Sequence, residues 1–126
     1  MAVTVDDRLD IRLDIHVVKG RTFKRRYHAQ YYSGDTLQDF SWDDYSGATM
    51  QVRRKSNSPI VELSFSTDDG SITLLSDGRF ELNLDYDTMD NIRSGEYYYD
   101  LYLLGTIYPK RAFIFGQFII ESKITI

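Results

Sequence analysis

Acidic side chains are concentrated between residues 85 and 96, where their spacing suggests a calcium loop. The segment reads Asp85-Tyr86-Asp87-Thr88-Met89-Asp90, and Glu96 follows eleven positions after Asp85. A calcium-binding EF-hand loop needs oxygen ligands at its positions 1, 3, 5 and 12 and glycine at position 6. Here Met89 takes position 5 and Asp90 takes position 6, and no flanking pair of helices is predicted. We therefore interpret this segment as an acidic surface loop.

The chain contains two histidines, His16 and His28, and no cysteine. Both histidines lie on the polar side of alternating segments, where they could face each other across an antiparallel strand pair. Two imidazoles supply only half of the ligands of a tetrahedral zinc site. Because no cysteine and no helix with paired ligands completes the set, the sequence predicts neither a metal nor another cofactor. The lack of cysteine also removes disulfides and thiol catalysis and leaves the redox compartment open.

Two basic triplets, Lys24-Arg25-Arg26 and Arg53-Arg54-Lys55, carry a large share of the positive charge. Cations interleaved with aromatic rings can bind nucleic acid by neutralising phosphates and stacking on bases. The overall balance is acidic, however, with a formal net charge of −4 and a pI near 5.0, and no nucleic-acid-binding motif is present. We interpret the triplets as docking charges for an acidic partner surface, where complementary charge sets register and encounter rate.

The sequence does not predict a catalytic centre. Serine, threonine and tyrosine are plentiful, but there is no Gly-x-Ser-x-Gly elbow and no phosphate-binding glycine loop. Paired carboxylates of the kind that cleave glycosides could come from Asp43, Asp44, Asp85 or Asp87, but their spacing does not select two of them. We therefore expect a protein that is not an enzyme.

The length and composition predict one globular domain. The chain has 126 residues, 42% of them hydrophobic and 14% aromatic, which is too apolar for a disordered protein of this low net charge. No apolar run approaches the roughly 20 residues that cross a bilayer, and the first residues lack the features of a secretory signal. We expect a short N-terminal arm over residues 1–7 and one domain over residues 8–126.

Alternation of apolar and polar residues predicts strands along most of the chain. The clearest case is the segment 8–18, in which every odd position from 9 to 17 is apolar and every even position from 8 to 16 is polar. Arg25 interrupts the next alternation with a bulge or a polar section, and Gly116 is expected to bend the last strand. The other predicted strands lie at 21–32, 48–52, 60–65, 72–75, 80–84, 97–103 and 112–126.

Connections between the predicted strands carry their own signals. Asp-Gly pairs at 69–70 and 77–78 favour hairpins, and residues 85–94 could form one helical turn with Met89 and Ile92 pointing inward. The irregular segment 35–47 is interpreted as a loop whose aromatic residues plug one end of the core. About eight or nine strands with almost no helix predict an all-β, antiparallel β-sandwich, and a closed barrel is the alternative.

The segment Ser94-Gly95-Glu96-Tyr97-Tyr98-Tyr99 resembles the start of strand F in immunoglobulin-like domains. In that fold a tyrosine hydroxyl closes the corner between strands E and F. Tyr97 takes that position two residues after Gly95, and Tyr99 stands where immunoglobulin domains carry a cysteine. The upstream aspartate of the pattern falls at Arg93, where this sequence departs from it. The resemblance implies an immunoglobulin-like sandwich with Gly95 and Tyr97 at a structural corner.

A wider resemblance covers roughly residues 45–126. It is carried by the opening at 46–54, the Asp-Gly turns, the run at 95–101 and the closing strand at 116–125. These segments are similar to the small immunoglobulin-like domains of tailed-bacteriophage structural proteins, such as the N-terminal domain of upper baseplate proteins. In that family the domain docks onto a particle and carries a longer fibre or receptor-binding part. Since this chain ends with its own last strand, the resemblance implies a decorating head protein or an adaptor for a separate fibre.

These observations predict a non-enzymatic structural protein of a phage virion, made in the host cytoplasm and docking as an auxiliary, head-decorating capsid protein. A baseplate or fibre adaptor is the alternative, and a carbohydrate-binding module that uses Trp42, Tyr45 and the Tyr98–Tyr102 face is a third hypothesis. Expected partners are the major capsid protein or fibre and baseplate proteins; a homo-oligomer stays open, and neither nucleic acid nor a membrane is expected. The residues expected to contact a partner are Val3, Val5, Lys24, Arg25, Arg26, Phe40, Trp42, Tyr45, Arg53 and Arg54.

Overall fold

The computed structural model describes residues 2–4, 11–106 and 109–122, and residues 2–4 are described by their backbone alone. These residues form eleven strands, one short helix and a 3-10 turn at Ser76–Gly78. In chain order the elements are β1 (Ala2–Thr4), β2 (Ile11–Arg12), β3 (Ile15–Val18), β4 (Phe23–Ser33), β5 (Thr36–Asp39), β6 (Tyr45–Arg53), β7 (Leu63–Ser66), β8 (Ile72–Leu74), β9 (Arg79–Leu84), α1 (Tyr86–Asp90), β10 (Gly95–Gly105) and β11 (Arg111–Glu121).

The strands form two sheets that enclose one core. The first sheet has the order β1-β4-β9-β8, with β5 also paired to β4, and the second runs β11-β10-β6-β7 with β2 and β3 on the outer side of β11. This confirms the all-β, immunoglobulin-like sandwich. The arrangement is not wholly antiparallel, because β1 pairs in parallel with β4, and β2 and β3 pair in parallel with β11. The same N-terminal part of the chain thus contributes edge strands to both sheets.

The long strand predicted at 8–18 is divided, within its described part, into β2 and β3. At the division the Leu13 amide donates to Phe115 O at 2.9 Å, and Asp14 Oδ1 accepts a bond from the Gln117 amide at 2.9 Å. A Cβ on Gly116 would collide with the Leu13 carbonyl oxygen, so glycine permits this close approach. β11 continues through Gly116 without a break, and the neighbouring strand is the one that is interrupted.

Arg25 keeps the register of β4 rather than forming a bulge. It pairs with Leu82 of β9 within an unbroken ladder from Phe23 to His28, at a position whose parity points between the sheets. Its side chain reaches the edge of the sandwich, where Nη2 donates to His16 O of β3 at 2.6 Å. Arg25 thereby links the two sheets, which explains a charged residue on the inward parity.

The two Asp-Gly turns have different roles. Residues 77–78 lie in the hairpin between β8 and β9, where Asp77 and Gly78 both have positive φ angles, as tight hairpin turns require. Residues 69–70 instead connect β7 in the second sheet to β8 in the first, so the hairpin predicted there is wrong. An Asp-Gly pair therefore indicates a turn. Whether the strands on its two sides pair with each other depends on contacts with other parts of the chain.

The core lies between the sheets and is rich in aromatic rings. Its largest fully buried side chains include Tyr97, Phe65, Phe80, Phe113 and Phe118. Within the described residues, no helix has the length and apolar character required to cross a membrane. The predicted strand at 60–65 begins only at Leu63, because Ile60 and Val61 are exposed.

Candidate functional site

Side chains alternate between the core and solvent along β10. Tyr97, Tyr99 and Leu101 are buried, whereas Tyr98 and Tyr102 lie on the outer face of the second sheet. This alternation is the pleat of a regular strand, in which successive side chains point to opposite faces. A tyrosine-rich strand consequently supplies rings both to the core and to an exposed surface.

A β-bulge in β11 opens a depression on that outer face. Leu101 pairs with Ile114 and the next residue, Tyr102, pairs with Ala112, so Phe113 is an extra residue in β11. Phe113 and Ile114 are both buried, as expected where an extra residue enters one strand. Ala112 is small, so the space above the bulge is left open. We call this depression the outer groove.

The outer groove has a volume of about 420 Å³. The exposed fractions of Tyr98 and Phe115 are each 39%, so both present ring surface to solvent. Ligand sites usually combine such apolar surface with a few polar groups. The residues that give the groove this character are Arg12, Ser56, Tyr98, Asp100, Tyr102 and Phe115.

Asp100 is incompletely paired at the groove. Its Oδ1 atom is closed off from solvent and has no hydrogen-bond partner among the described residues. The Arg53 Nη1 atom lies 3.7 Å from it, an ion-pair distance beyond hydrogen-bond range, and the same guanidinium donates to Gln51. Arg12, which also lines the groove, has its Nε atom 3.5 Å from Asp14 Oδ1. The enclosed Oδ1 thus has an ion-pair neighbour but no hydrogen bond from the described residues, and the rest of the carboxylate faces the groove.

Tyr102 stays a neutral phenol at the end of the groove. Burial, followed by the nearby Asp100 carboxylate, raises the pKa of its hydroxyl above the usual value. The Lys110 ammonium lies 4.4 Å from the centre of its ring and covers one face through a cation–π contact. Tyr98 and Phe115 therefore provide the ring surface that remains available, and Tyr102 provides a hydroxyl.

The aromatic loop residues predicted to bind a partner are largely used inside the molecule. Trp42 contacts Phe40 and Phe113 with ring centroids 5.1 Å and 5.7 Å apart, and its Nε1 donates to Arg79 O at 3.2 Å. The prediction that this loop plugs one end of the core is confirmed. We call the cluster the aromatic plug; it consists of Phe40, Trp42, Tyr45, Phe80 and Phe113. Contact of Phe40, Trp42 or Tyr45 with a partner stays a prediction.

The two basic triplets lie on different sheets and do not form one patch. Lys24 and Arg26 lie on the outer face of β4, where Glu81 accepts from Arg26 at 2.9 Å and lies 3.9 Å from Lys24. Arg53 ends β6 in the second sheet, and Arg54 lies over the Tyr97 ring at 5.3 Å. Because the triplets belong to different sheets, one flat partner surface cannot contact both of them.

Part of the predicted N-terminal arm belongs to the first sheet. The backbone of Val3 is paired with Ala29, and β1 as a whole pairs with residues 28–30 of β4. Val5 lies outside the described residues. The arm and the first basic triplet therefore share one sheet.

The far end of β4 and β5 forms an exposed hairpin that the sequence did not predict. Tyr32 and Leu37 are cross-strand partners and are 62% and 44% exposed. All four residues of β5 are exposed, so the strand has no buried face that an apolar–polar alternation could have predicted. The sequence signalled only the turn at Gly34, and in the structure this glycine has a positive φ.

The corner at Tyr97 shows the hydrogen bond that strand F of the fold requires. Its hydroxyl donates to the backbone carbonyl of Arg93 at 2.6 Å. Because the acceptor is a main-chain oxygen, the side chain at position 93 can vary. Tyr99, at the position of the immunoglobulin cysteine, donates to Leu13 O, and burial raises the pKa of its hydroxyl.

The histidines and the acidic loop do not assemble into a site. His16 is 3.8 Å from Glu121 in the second sheet and His28 is 2.7 Å from Asp39 in the first, so the idea that the histidines face each other is wrong. Asp85 caps α1 by accepting a bond from the Thr88 amide at 2.7 Å. Across the described part of the chain, no three potential metal ligands lie together.

Comparisons with known proteins identify similar structures at low sequence identity. No family model matches the chain, and no curated protein matches it. One similar structure is the N-terminal domain of phage TP901-1 ORF48, with 11% identity, a TM-score of 0.42 and coverage of 96% of this chain and 99% of that one. Another is the V domain of amphioxus IgVJ-C2, with 12% identity, a TM-score of 0.27 and coverage of 85% and 99%.

Proposed function

We propose that this chain is a non-enzymatic structural protein of a bacteriophage virion and that it docks on the head as an auxiliary protein. Support comes from the sequence resemblance over residues 45–126. Its motifs include β6, β10 and β11, which are neighbours in the second sheet, and the corner at Tyr97. A baseplate or fibre adaptor is the alternative location.

Docking is assigned to the outer side of the first sheet. Lys24, Arg26 and Tyr32 share one parity of β4 and therefore the same face of the sheet. The surface therefore carries cations at one end and an exposed apolar pair at the other. In such interfaces aromatic anchors supply most of the binding free energy, and charges set the orientation of the partner. Exposure of the Tyr32–Leu37 pair is the observation that carries this assignment.

The Tyr32–Leu37 pair gains little by packing within the chain. Leu37 is 44% exposed and Tyr32 is 62% exposed, although both are types that proteins usually bury at least in part. The neighbouring ring of Tyr31 turns to the other side of the hairpin, where its hydroxyl donates to Gln38. A partner with an apolar pocket and an acidic rim would match this surface.

The experiment locates the chain in particles from cells that carry its gene. Purified particles are analysed by mass spectrometry and electron microscopy, with the wild type and the double variant Tyr32→Ser, Leu37→Ser. We expect density on the head and at least roughly tenfold lower occupancy for the variant, since a hot-spot residue is worth about 2 kcal/mol or more and a tenfold loss of affinity needs only about 1.4 kcal/mol. Tyr86→Ser is the matched control, because Tyr86 is 40% exposed on α1, away from this hairpin.

The outcomes separate the parts of the proposal. Absence of the chain from purified particles would overturn the virion role. Density confined to the tail would replace the head by the alternative location. Equal occupancy of the double variant and the Tyr86→Ser control would remove the hairpin from the docking surface.

A further inference from the structure

The outer groove differs from the docking face in its chemistry. It lies on the second sheet, on the opposite side of the sandwich from Lys24, Arg26 and Tyr32. Its surface combines two part-exposed rings, Tyr98 and Phe115, with the part-exposed carboxylate of Asp100. A ligand that matches this surface has one apolar face and an edge of hydrogen-bond donors.

Buried acceptors without partners are rare in folded proteins, and each calls for an explanation. Asp100 Oδ1 lies 3.7 Å from Arg53 Nη1, too far for a hydrogen bond. The Asp100 side chain is nevertheless 39% exposed and lines the groove, so the rest of its carboxylate is open to a ligand. A ligand hydroxyl can donate to this exposed part of the carboxylate in a charge-assisted bond, while the enclosed Oδ1 stays beside Arg53.

The size of the outer groove favours a small ligand over a protein. Its volume of about 420 Å³ lies in the lower part of the range for small-molecule sites. Stable protein interfaces bury about 800 Å² per partner around an apolar centre, and two rings that are each 39% exposed do not provide such a centre.

We propose that the outer groove binds a neutral carbohydrate. The C–H face of a sugar ring packs on Phe115 and Tyr98, which offer aromatic surface at little cost in side-chain entropy. Sugar hydroxyls donate to Asp100 and exchange hydrogen bonds with Tyr102 and Ser56. A negatively charged sugar fits less well, because its carboxylate would approach Asp100, whereas the cation in the lining, Arg12, already has the Asp14 carboxylate 3.5 Å away.

This site shares the Tyr98–Tyr102 face with the sugar-binding surface that the sequence suggests. Trp42 and Tyr45 are absent from the groove, since both rings belong to the aromatic plug. Phe115 supplies a ring in their place, on the outer face opposite Asp100.

The experiment uses the full chain labelled with nitrogen-15 and follows its backbone amides by NMR during titration. The probes are maltotriose, cellotriose and chitotriose as neutral sugars and trigalacturonic acid as the charged one. We expect at least one neutral sugar to shift the amides around Tyr98, Asp100 and Phe115 in a saturable manner. Trigalacturonic acid should leave these amides unshifted.

Variants test which side chains carry the binding. Tyr98→Ala and Phe115→Ala should each weaken the binding of the responding sugar roughly tenfold, as expected for the loss of about 1.4 kcal/mol. Both side chains lie at the surface, so the thermal midpoint should change little. Tyr86→Ala is the matched control, because it removes an equally exposed tyrosine outside the groove.

Three results would overturn this proposal. The first is that no neutral sugar shifts the groove amides. The second is that Tyr86→Ala weakens binding as much as Phe115→Ala does. The third is self-association of the chain through the same amides without sugar, detected by sedimentation, which would assign the groove to a second copy.

Discussion

The two ends of the sandwich are closed by different physical means. At one end the aromatic plug fills the space between the sheets with rings whose centroids lie 5–6 Å apart, such as Phe40 and Phe113 at 5.5 Å. At the other end α1 and the Tyr97 corner close the core with directed hydrogen bonds, Tyr97 to Arg93 O and Thr88 to Asp85. Packing distributes energy over many contacts, whereas a single hydrogen bond has a modest net value. Removing a ring of the plug should therefore cost more than removing one hydrogen bond of the corner.

The largest effect is expected for Phe113→Ala in the plug. The ring is fully buried against Phe40, Trp42 and Phe80, so its removal leaves a cavity and should cost about 3–5 kcal/mol of unfolding free energy. Phe115→Ala is the matched control two residues along β11, where the ring faces solvent. Urea unfolding measures both; equal losses would show that the bulge does not separate inward from outward rings.

Trp42→Ala should follow, with a loss of about 2–4 kcal/mol, because the indole is only partly buried. The variant loses ring contacts and also the Nε1 bond to Arg79 O. Trp42→Phe keeps part of the packing and should lie between the wild type and the alanine variant in thermal midpoint. An unchanged midpoint for Trp42→Ala would place the ring outside the plug and reopen a role at an interface.

Tyr97→Phe tests the corner end with a smaller expected effect. Loss of the bond to Arg93 O should cost about 0.5–1.5 kcal/mol, the usual net value of one hydrogen bond. Tyr98→Phe, on the outward parity of the same strand, should cost almost nothing. If the two variants unfold at the same urea concentration, the hydroxyl does not close the corner.

The smallest effect concerns Asp85, the cap of α1. Hydrogen bonds from Thr88 lower the pKa of Asp85 in the folded state. The contribution of this carboxylate to stability is therefore complete above the ordinary pKa range of aspartate. It is lost as the pH falls from that range through the lowered pKa of the folded state. Asp85→Asn keeps a capping oxygen but removes this titration. Thermal midpoints measured between about pH 6 and pH 3 should therefore fall slightly less for the variant than for the wild type.

Asp87→Asn serves as the control for this titration, since Asp87 lies inside α1 rather than at its cap. An identical pH dependence for Asp85→Asn and the wild type would contradict a role for the Asp85 charge at the corner end.

Much of the fold could be predicted from local sequence. Alternation predicted strands at 48–52 and 97–103, and in β6 and β10 the side chains do alternate, with Met50, Val52 and Tyr97 inside and Tyr98 outside. The single helical turn was also predicted, with Met89 buried and Ile92 against the core. These features follow from short-range periodicity, because the side chains of one element share its geometry.

Other features depend on which strands meet and could not be read from one segment. The interruption at Leu13 and Asp14 exists because β11 presents Gly116 at that point, and β5 forms by pairing with β4 although all of its residues are exposed. The outer groove likewise results from a bulge in β11 opposite regular residues of β10.

The sequence by itself determined the residue types, the inward and outward parity of each regular strand, and the aromatic weight of the core. The tertiary structure alone decided which aromatic rings became the plug and which became a surface. It also decided which carboxylate oxygen was left without a hydrogen-bond partner among the described residues. The physical reason is that alternation reports only two faces of a strand, whereas register, bulges and neighbours are set by contacts between residues far apart in the chain.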